Sequence, residues 1–287
     1  MTRSAIALLW LLHWLPQPVL AALGNGLGSL LARVPGKRRR IVAVNLARCF
    51  PELSAAARLR LLRANYRATV RAAFETGILW WGSAARIRKL VRVEDAHLLR
   101  GDGTRPVIWL APHFVGLDMG GLRLSLDSPV VSMYSQPKNA AFHRMLLHSR
   151  TRFNEVHLYS RHEGIKPVIR QLKRGLPFYY LPDQDYGRQG AVFAPFFGIA
   201  AATVDALPRL ARVADAQVVP VITRQVAGGY VLRAYPAWED YPGASVEADV
   251  ARMNAFIEAR VREIPGQYFW MHRRFKNRPP GEARFYD

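Results

Sequence analysis

Two patterns of apolar residues alternate along the chain and predict an alternation of strands and helices. Short β-branched or aromatic runs are typical of buried strands, and they occur within 86–99 and at 107–111, 130–134, 156–159, 178–181, 217–223 and 230–234. Longer stretches with apolar residues three or four positions apart predict helices at 41–51, 55–81, 140–152, 165–174, 202–214 and 245–262, with a further helix after Gly116. This alternation predicts an α/β fold in which helices cover both faces of a sheet.

The amino-terminal segment is almost entirely apolar. Residues 5–32 would be long enough to cross a bilayer as a helix, but Pro16 and Pro18 would break or kink it. A kinked membrane anchor, a shallow interfacial helix and a cleaved signal peptide are the alternatives. The basic run at 37–40 favours an anchor, because basic residues stay on the cytoplasmic side of a membrane.

No internal repeat, low-complexity tract or linker divides the rest of the chain. We therefore predict two parts: an N-terminal membrane anchor, residues 1–35, and one globular domain, residues 36–287. A chain of 287 residues, half of them hydrophobic, is long enough for a sizeable core and excludes a disordered protein.

The formal net charge of +20 requires an anionic partner: nucleic acid, an anionic membrane surface or acidic substrates. A basic stripe on the predicted helix at 55–81 carries Arg60, Arg63, Arg67 and Arg71. It is either a solvated face or a membrane or phosphate contact. The single cysteine, Cys49, excludes an intramolecular disulfide, fits a reducing compartment and is predicted to be a buried thiol.

His113 lies where the strand at 107–111 ends and a helix begins, with Asp118 five residues further on. Ligands of open α/β folds bind at the carboxyl ends of strands. A histidine with a carboxylate on its second ring nitrogen is a general base with a fixed tautomer. The alternative is a histidine near a helix start and an aspartate on a solvated first turn.

Polar residues follow two other predicted strands. Arg161 could clamp a phosphate or carboxylate bidentately, and Arg152 just upstream is a further candidate for substrate binding, although each could be an ordinary surface arginine. Asp183 and Asp185 form a D-x-D motif, which suits either a metal-dependent glycosyltransferase or an Asx turn before Gly187. No zinc spacing, serine-hydrolase elbow or phosphate-binding loop is present.

The last aromatic and basic segment, residues 268–276, admits two interpretations. It could bind single-stranded nucleic acid by stacking and charge. We favour a final helix whose aromatic residues enter the core while Arg273, Arg274 and Lys276 face an anionic surface.

Taken together, these segments resemble the bacterial lipid A late acyltransferases, of the lauroyl/myristoyl type, within the glycerolipid acyltransferase superfamily. The resemblance runs nearly end to end. It rests on the apolar start, VNLARCFPE (44–52), ETG (75–77), HFVGLD (113–118), Arg161, LPDQDYG (181–187) with VFAPFFG (192–198), VPV (219–221) and FWMHRRFKNRP (269–279). Some relatives have glutamate where this chain has Asp118.

The resemblance implies roles for four of these residues. His113 would deprotonate an acceptor hydroxyl that attacks an acyl thioester, and Asp118 would orient His113. Arg161 would contact an acceptor phosphate, and Asp183 would help shape the acceptor site. The family fold is a layered mixed sheet flanked by helices, like that of glycerol-3-phosphate acyltransferase, with the VPV segment lining an acyl pocket.

The resemblance also implies the partners. The donor would be an acyl chain on acyl carrier protein, and the acceptor a phosphorylated, Kdo-bearing lipid A precursor. Residues 36–287 would be the catalytic domain, on the cytoplasmic side of the bacterial inner membrane, with no cofactor, metal or nucleic acid required. The rivals are the same chemistry on another membrane lipid such as ornithine lipid, a metal-dependent glycosyltransferase, and a non-catalytic basic binder.

Overall fold

A seven-stranded mixed sheet forms the centre of the protein, whose structure is a computed structural model describing residues 3–286. The described residues form nine strands, of which β6 and β7 lie outside this sheet: β1 Val91–Glu94, β2 Val107–Leu110, β3 Val130–Tyr134, β4 Val156–Ser160, β5 Phe178–Tyr180, β6 Ala191–Phe196, β7 Ile199–Val204, β8 Gln217–Val226 and β9 Gly229–Ala234. The order of strands in the sheet is β1-β9-β8-β2-β5-β3-β4. The pair of β8 and β9 is antiparallel, and the other neighbouring pairs of this sheet are parallel. The predicted α/β fold with a layered mixed sheet is confirmed.

Ten α-helices surround the sheet in the described part of the chain. They are α1 Arg3–Leu12, α2 Gln17–Leu31, α3 Lys37–Cys49, α4 Ala55–Trp81, α5 Ala84–Leu90, α6 Leu117–Leu124, α7 Ala140–Thr151, α8 Lys166–Lys173, α9 Ala206–Ala214 and α10 Val246–Glu263. Strand residues alternate between two core clusters, as the twofold repeat of a strand requires. Ile108 and Leu110 face one cluster, and Trp109 faces the other together with Val219 and Val221 of the VPV motif.

The amino-terminal segment is a pair of helices separated at Pro16. Glycines bring both helices against α4: a Cβ on Gly24 would lie 2.5 Å from the Cα of Arg71, and one on Gly77 would lie 2.4 Å from the carbonyl oxygen of Leu9. Within residues 3–286, the structure contains no helix with the length and apolar character needed to span a membrane.

The helix pair presents its large apolar side chains to the outside. The exposed residues of this surface, the apolar face, are Leu8, Trp10, Leu11, Trp14, Val19, Leu23, Leu27, Leu30 and Leu31. Gly24 and Gly77 therefore allow the close contacts with α4, and the exposed leucines and tryptophans of the apolar face lie on the outer side of the helix pair.

One arginine of the predicted basic stripe is not solvated. Arg71 is 8% exposed and its Nε lies 3.0 Å from Oε1 of Glu75, a fully buried carboxylate. Gln17 of α2 and the hydroxyl of Tyr230 also donate to Glu75. Glu75 of the ETG motif therefore joins α2, α4 and β9. Cys49 is buried as predicted, and burial raises the pKa of its thiol.

The sequence-based prediction missed the hairpin of β6 and β7. The two strands pair from Ala191 opposite Val204 to Phe196 opposite Ile199, which leaves a two-residue turn. Both turn residues, Phe197 and Gly198, have positive φ values of 52° and 71°, as a two-residue hairpin turn of type I′ requires. Pro195 within β6 and a phenylalanine at the turn conceal the hairpin in the sequence.

The predicted helix at 268–276 is wrong, because the segment is irregular and pairs with other parts of the chain. Nδ2 of Asn45 donates to the carbonyls of Trp270 and His272 at 2.8 and 2.9 Å. Nδ2 of Asn65 donates to the carbonyl of Tyr268 at 2.7 Å. Arg274, expected on the surface, is 2% exposed and donates to the carbonyl of Ala202. We call residues 265–286 the C-terminal segment.

Candidate active site

The carboxyl ends of parallel strands bring His113 and Asp183 together. β2 and β5 are neighbours, and Leu110 lies opposite Tyr180 in their register. His113 and Asp183 each follow these paired residues by three positions. Because both residues lie three positions beyond a pair of opposite residues on neighbouring parallel strands, their side chains lie beside each other. The order of strands in the sheet therefore creates the pair.

The carboxylate of Asp183 binds His113 through both the ring and the backbone. Nδ1 of His113 lies 2.7 Å from Oδ1 of Asp183, and the His113 N–H lies 3.1 and 3.0 Å from the two carboxylate oxygens. A carboxylate only accepts, so the proton of a neutral His113 ring is on Nδ1 and Nε2 carries a lone pair. The His113 side chain is 15% exposed and that of Asp183 is 1% exposed. His113 can therefore accept a proton at Nε2.

Asp183 is ionised although it is buried. Burial alone would raise the pKa of this carboxyl. The charge of the His113 ring and hydrogen bonds from that ring, from the His113 N–H and from the hydroxyl of Tyr268 outweigh burial and hold the pKa below its usual value. A permanent carboxylate at Nδ1 stabilises the imidazolium that forms when Nε2 takes a proton.

Asp118 lies elsewhere than the sequence predicted. It occupies the first turn of α6, and its Oδ1 lies 2.6 Å from an Nη of Arg150 on α7. Its side chain is 56% exposed. Because His113 precedes the helix and its ring lies against Asp183 after β5, the carboxylate that contacts the ring in the structure is that of Asp183, and Asp118 forms an ion pair with Arg150.

Two apolar cavities flank the Asp118–Arg150 pair. One, of about 40 Å³, lies between α6 and the strands β3, β4 and β5 and is lined by Leu122 and Leu158. The other, of about 210 Å³, lies among α1, α4, α6 and α7 and is lined by Leu9 and Phe142 among others. The ion pair and Leu122 belong to the walls of both.

Arg161 lies on the same edge of the sheet as His113 and Asp183. It directly follows β4 and is exposed, and its guanidinium stacks 3.6 Å from the ring centroid of Tyr186. Tyr186 belongs to the turn that also carries Asp183. The structure therefore brings Arg161 to the rim of the His113 site.

The structure gives Arg152 and Asp185 different partners from those predicted. Arg152 donates to the carbonyl oxygens of Gly82 and Ile78 at the end of α4 through its two terminal nitrogens, and its buried Nε has no hydrogen-bond partner among residues 3–286. Asp185 is 5% exposed and accepts from the N–H of Gly187 and from the backbone and side chain of Asn277. Through these contacts Asp185 tethers the C-terminal segment.

The two carboxylates of the D-x-D motif do not converge on one point. Asp183 binds His113 and Asp185 binds Asn277. Among residues 3–286, no three His, Cys, Asp or Glu side chains are grouped to hold a metal ion. The diverging contacts of the two carboxylates disfavour the glycosyltransferase alternative.

Sequence reasoning missed the contribution of the C-terminal segment to the site. Phe114 and Tyr268 form a β-bridge, and the N–H of Phe269 donates to the carbonyl of His113 at 2.9 Å. A small cavity of about 10 Å³ is lined by His113 and, from the C-terminal segment, by Tyr268 and His272. The alternation of aromatic and basic residues marked the segment, but only the structure reveals that it supports the His113 loop.

We expect His272 to make stability fall in mild acid. Burial, the nearby Arg274 guanidinium and His113 lower the pKa of His272 from 6.5 to about 4. Between these pH values the unfolded chain binds a proton that the folded chain does not, so stability decreases as the pH falls, by about 3 kcal/mol in total. Above pH 6.5 the penalty is absent.

The measurement is the free energy of unfolding at about pH 7 and about pH 5, for the native chain and for His272→Gln. In the native chain the N–H of Asp185 donates to Nε2 of His272. The side-chain oxygen of a glutamine at this position can accept the same hydrogen bond. The native chain should lose about 2 kcal/mol more than the variant over this range. Equal losses would contradict a neutral His272 in the folded state.

Comparison with known proteins identifies related sequences over the whole chain. Residues 2–277 match the family described as bacterial lipid A biosynthesis acyltransferase. The chain is 34% identical over 291 positions to the lipid A biosynthesis palmitoleoyltransferase of Escherichia coli K12, covering 100% of this chain and 94% of that protein. It is 33% identical over 286 positions to the lauroyltransferase of the same organism, with coverages of 98% and 93%. The crystal structure of the 1-acyl-sn-glycerophosphate acyltransferase PlsC from Thermotoga maritima is similar with a TM-score of 0.40 and 14% identity, over 93% of this chain and 99% of that one.

Proposed function

The chain belongs to the bacterial lipid A biosynthesis acyltransferase family, and from this premise we propose that it transfers a fatty acyl chain from acyl carrier protein to a hydroxyl of a phosphorylated, Kdo-bearing lipid A precursor. The observation that carries the proposal is the His113–Asp183 pair. It supplies a general base at the carboxyl edge of the sheet, where an α/β fold binds its ligands.

His113 acts as the base of a direct acyl transfer. Nε2 of His113 takes the proton of the acceptor hydroxyl while the hydroxyl oxygen forms a bond to the thioester carbonyl carbon. The tetrahedral intermediate then collapses, the carbon–sulfur bond breaks, and the leaving thiolate takes the proton from Nε2. Asp183 holds Nδ1 throughout and stabilises the imidazolium, so no covalent enzyme intermediate is needed.

Arg161 binds a phosphate of the acceptor. It is exposed beside the His113 site, and stacking on Tyr186 limits its motion. A guanidinium binds phosphate through two parallel hydrogen bonds, which position the acceptor as well as attract it.

The acyl chain lies in the apolar cavities on either side of the Asp118–Arg150 pair. Their lining by leucine and aromatic side chains suits a hydrocarbon chain, and α6 connects them to the His113 loop. Asp118 then contributes by holding Arg150 at the walls of both cavities. The cavities have to widen to admit a long chain.

The apolar face attaches the enzyme to the cytoplasmic surface of the bacterial inner membrane. It exposes leucines and tryptophans on adjacent helices, and the basic residues 37–40 follow directly. An amphipathic helix lies in the interface with its apolar side in the lipid, and basic residues bind anionic headgroups. The net charge of +20 strengthens the same attraction.

We expect Leu30→Glu to weaken binding to vesicles of phosphatidylethanolamine and phosphatidylglycerol by about 10- to 100-fold, because burying one leucine is worth about 1.5–3 kcal/mol. Sedimentation of protein with vesicles measures the binding. The matched control is Val213→Glu on α9, since Leu30 is 55% exposed and Val213 is 53% exposed. Equal binding by the two variants would contradict attachment through the apolar face.

The function is tested with purified protein, acyl carrier proteins loaded with chains of several lengths, and a tetra-acylated lipid A precursor. Mass spectrometry should detect the precursor with one more acyl chain. Acylation of ornithine lipid in place of the precursor would move the acceptor to another lipid class, and acylation of neither lipid would overturn the proposal.

A further inference from the structure

A cavity in the C-terminal segment brings together five basic side chains. It has a volume of about 300 Å³ and is lined by Arg188, Arg273, Lys276, Arg278 and Arg284. Among the described residues that line it, Glu282 is the one carboxylate. We call this feature the basic cavity.

The basic cavity is built into the fold and is not a loose surface cluster. Arg278 is only 8% exposed, contacts Glu282 and donates to the carbonyl of Ala200. Its Nε is buried and has no hydrogen-bond partner among residues 3–286. Arg188 donates to the carbonyl of Arg278 at 2.8 Å, which joins two distant parts of the chain at the cavity wall.

Convergence of these charges favours an anionic ligand. Like charges around a concave site repel one another, and Glu282, the one carboxylate among the described lining residues, offsets part of this repulsion. An anion in the cavity would remove the repulsion and supply acceptors for the guanidinium groups. The same number of cations spread over a convex surface would need no such partner.

The basic cavity is next to the His113 site. Asn277 lines the cavity and donates to Asp185, whose N–H donates to His272 at 2.9 Å. His272 in turn lines the same small cavity as His113. Arg188 also lies two residues from Tyr186, on which Arg161 stacks.

We propose that the basic cavity binds a second anionic group of the acceptor's headgroup, either a phosphate monoester or the carboxylate of a sugar acid. This inference rests on the proposed function, in which Arg161 binds the first anionic group. A headgroup held at two points would fix one hydroxyl at His113. The cavity is concave and about 300 Å³ in volume, which fits one charged group rather than the face of a protein.

The test replaces two basic residues that line the cavity by glutamine, which is polar but uncharged. Arg273→Gln/Lys276→Gln removes two charges from the basic cavity. Arg100→Gln/Lys173→Gln is the matched control, because these exposed residues line a different cavity, near the amino ends of β2 and β5. Lys276→Gln alone serves if the double variant is unstable, since Lys276 is exposed.

Binding is measured to phosphatidylcholine vesicles that contain the lipid A precursor, the precursor without phosphate, or the precursor without sugar acid. The basic-cavity variant should bind the complete precursor about 10- to 100-fold more weakly than the native chain, and the control should not. In turnover, KM for the acceptor should rise while kcat is retained.

The truncated acceptors identify the group. If the variant and the native chain bind the phosphate-free precursor equally, the cavity binds phosphate. If they bind the precursor without sugar acid equally, it binds the carboxylate. No difference between the variant and the control with any lipid would overturn the inference, as would a rise in KM for acyl carrier protein alone. If the native chain acylates no lipid, the proposed function fails, yet the vesicle assay still reports on the cavity.

Discussion

Replacing Asp183 by asparagine should lower kcat for acyl transfer by about 10²- to 10⁴-fold, and replacing His113 by alanine should lower it by a similar factor. The asparagine side chain would present an amide where the ring needs a carboxylate, so neither the Nδ1–H tautomer nor the imidazolium would be stabilised. Both residues follow strands at the carboxyl edge of the sheet.

The two losses should not add. Because His113 and Asp183 act as one unit, the double variant should be little worse than either single variant. Initial rates with saturating acyl donor and acceptor measure kcat, and the unfolding midpoint of each variant verifies that the protein is folded. If the fold-loss of kcat in the double variant equals the product of the two single losses, His113 and Asp183 do not act as a pair.

Asp118→Asn is the control that distinguishes the two candidate partners of His113: Asp183, which contacts it in the structure, and Asp118, which the sequence spacing predicted. Its carboxylate pairs with Arg150 beside the apolar cavities, so we expect a smaller loss of kcat and a higher KM for the acyl donor. If Asp118→Asn instead abolishes turnover while Asp183→Asn is mild, the ring of His113 must turn to Asp118 during catalysis.

Replacing Glu75 by alanine should reduce the free energy of unfolding by about 3–5 kcal/mol, because it leaves the Arg71 charge buried without its partner. Glu75 is fully buried and accepts from Arg71, Gln17 and Tyr230. The loss approaches the whole stability of an ordinary domain, and it should loosen the contact of α2 with the rest of the protein.

Urea unfolding in detergent micelles, followed by tryptophan fluorescence, measures this effect. Glu263→Ala is the control: Glu263 pairs with Arg260 at 2.8 Å but is 54% exposed, so its loss should be at most about 1 kcal/mol. Glu75→Gln keeps the shape of the side chain and should lie between the two. Equal effects of Glu75→Ala and Glu263→Ala would contradict a structural role for the buried pair.

The sequence was sufficient wherever local pattern decides structure. Apolar runs predicted every strand of the central sheet, and the position of His113 after β2 predicted that this histidine lies at the carboxyl edge of the sheet. The position of Arg161 directly after the predicted strand β4 likewise predicted that this arginine lies at the same edge. These predictions succeed because side-chain periodicity and strand ends are properties of a few consecutive residues.

Predictions from local sequence pattern were wrong where contacts with residues far away in the chain determine the structure. A final helix was predicted at 268–276, but Asn45, Asn65 and the His113 loop bind the backbone groups that a helix would use. Arg71 has the spacing of a solvated stripe and is buried by its contact with Glu75. No property of the residues adjacent to either segment reveals these partners.

The sequence by itself therefore determined the α/β class, the base His113 as a candidate and the family to which the chain belongs. Only the tertiary structure decided which carboxylate meets His113. Asp118 is nearer in sequence, but Asp183 lies beside His113 because β2 and β5 are neighbours in register. Strand order depends on contacts between residues far apart in the chain, and the spacing within a single motif does not contain that information.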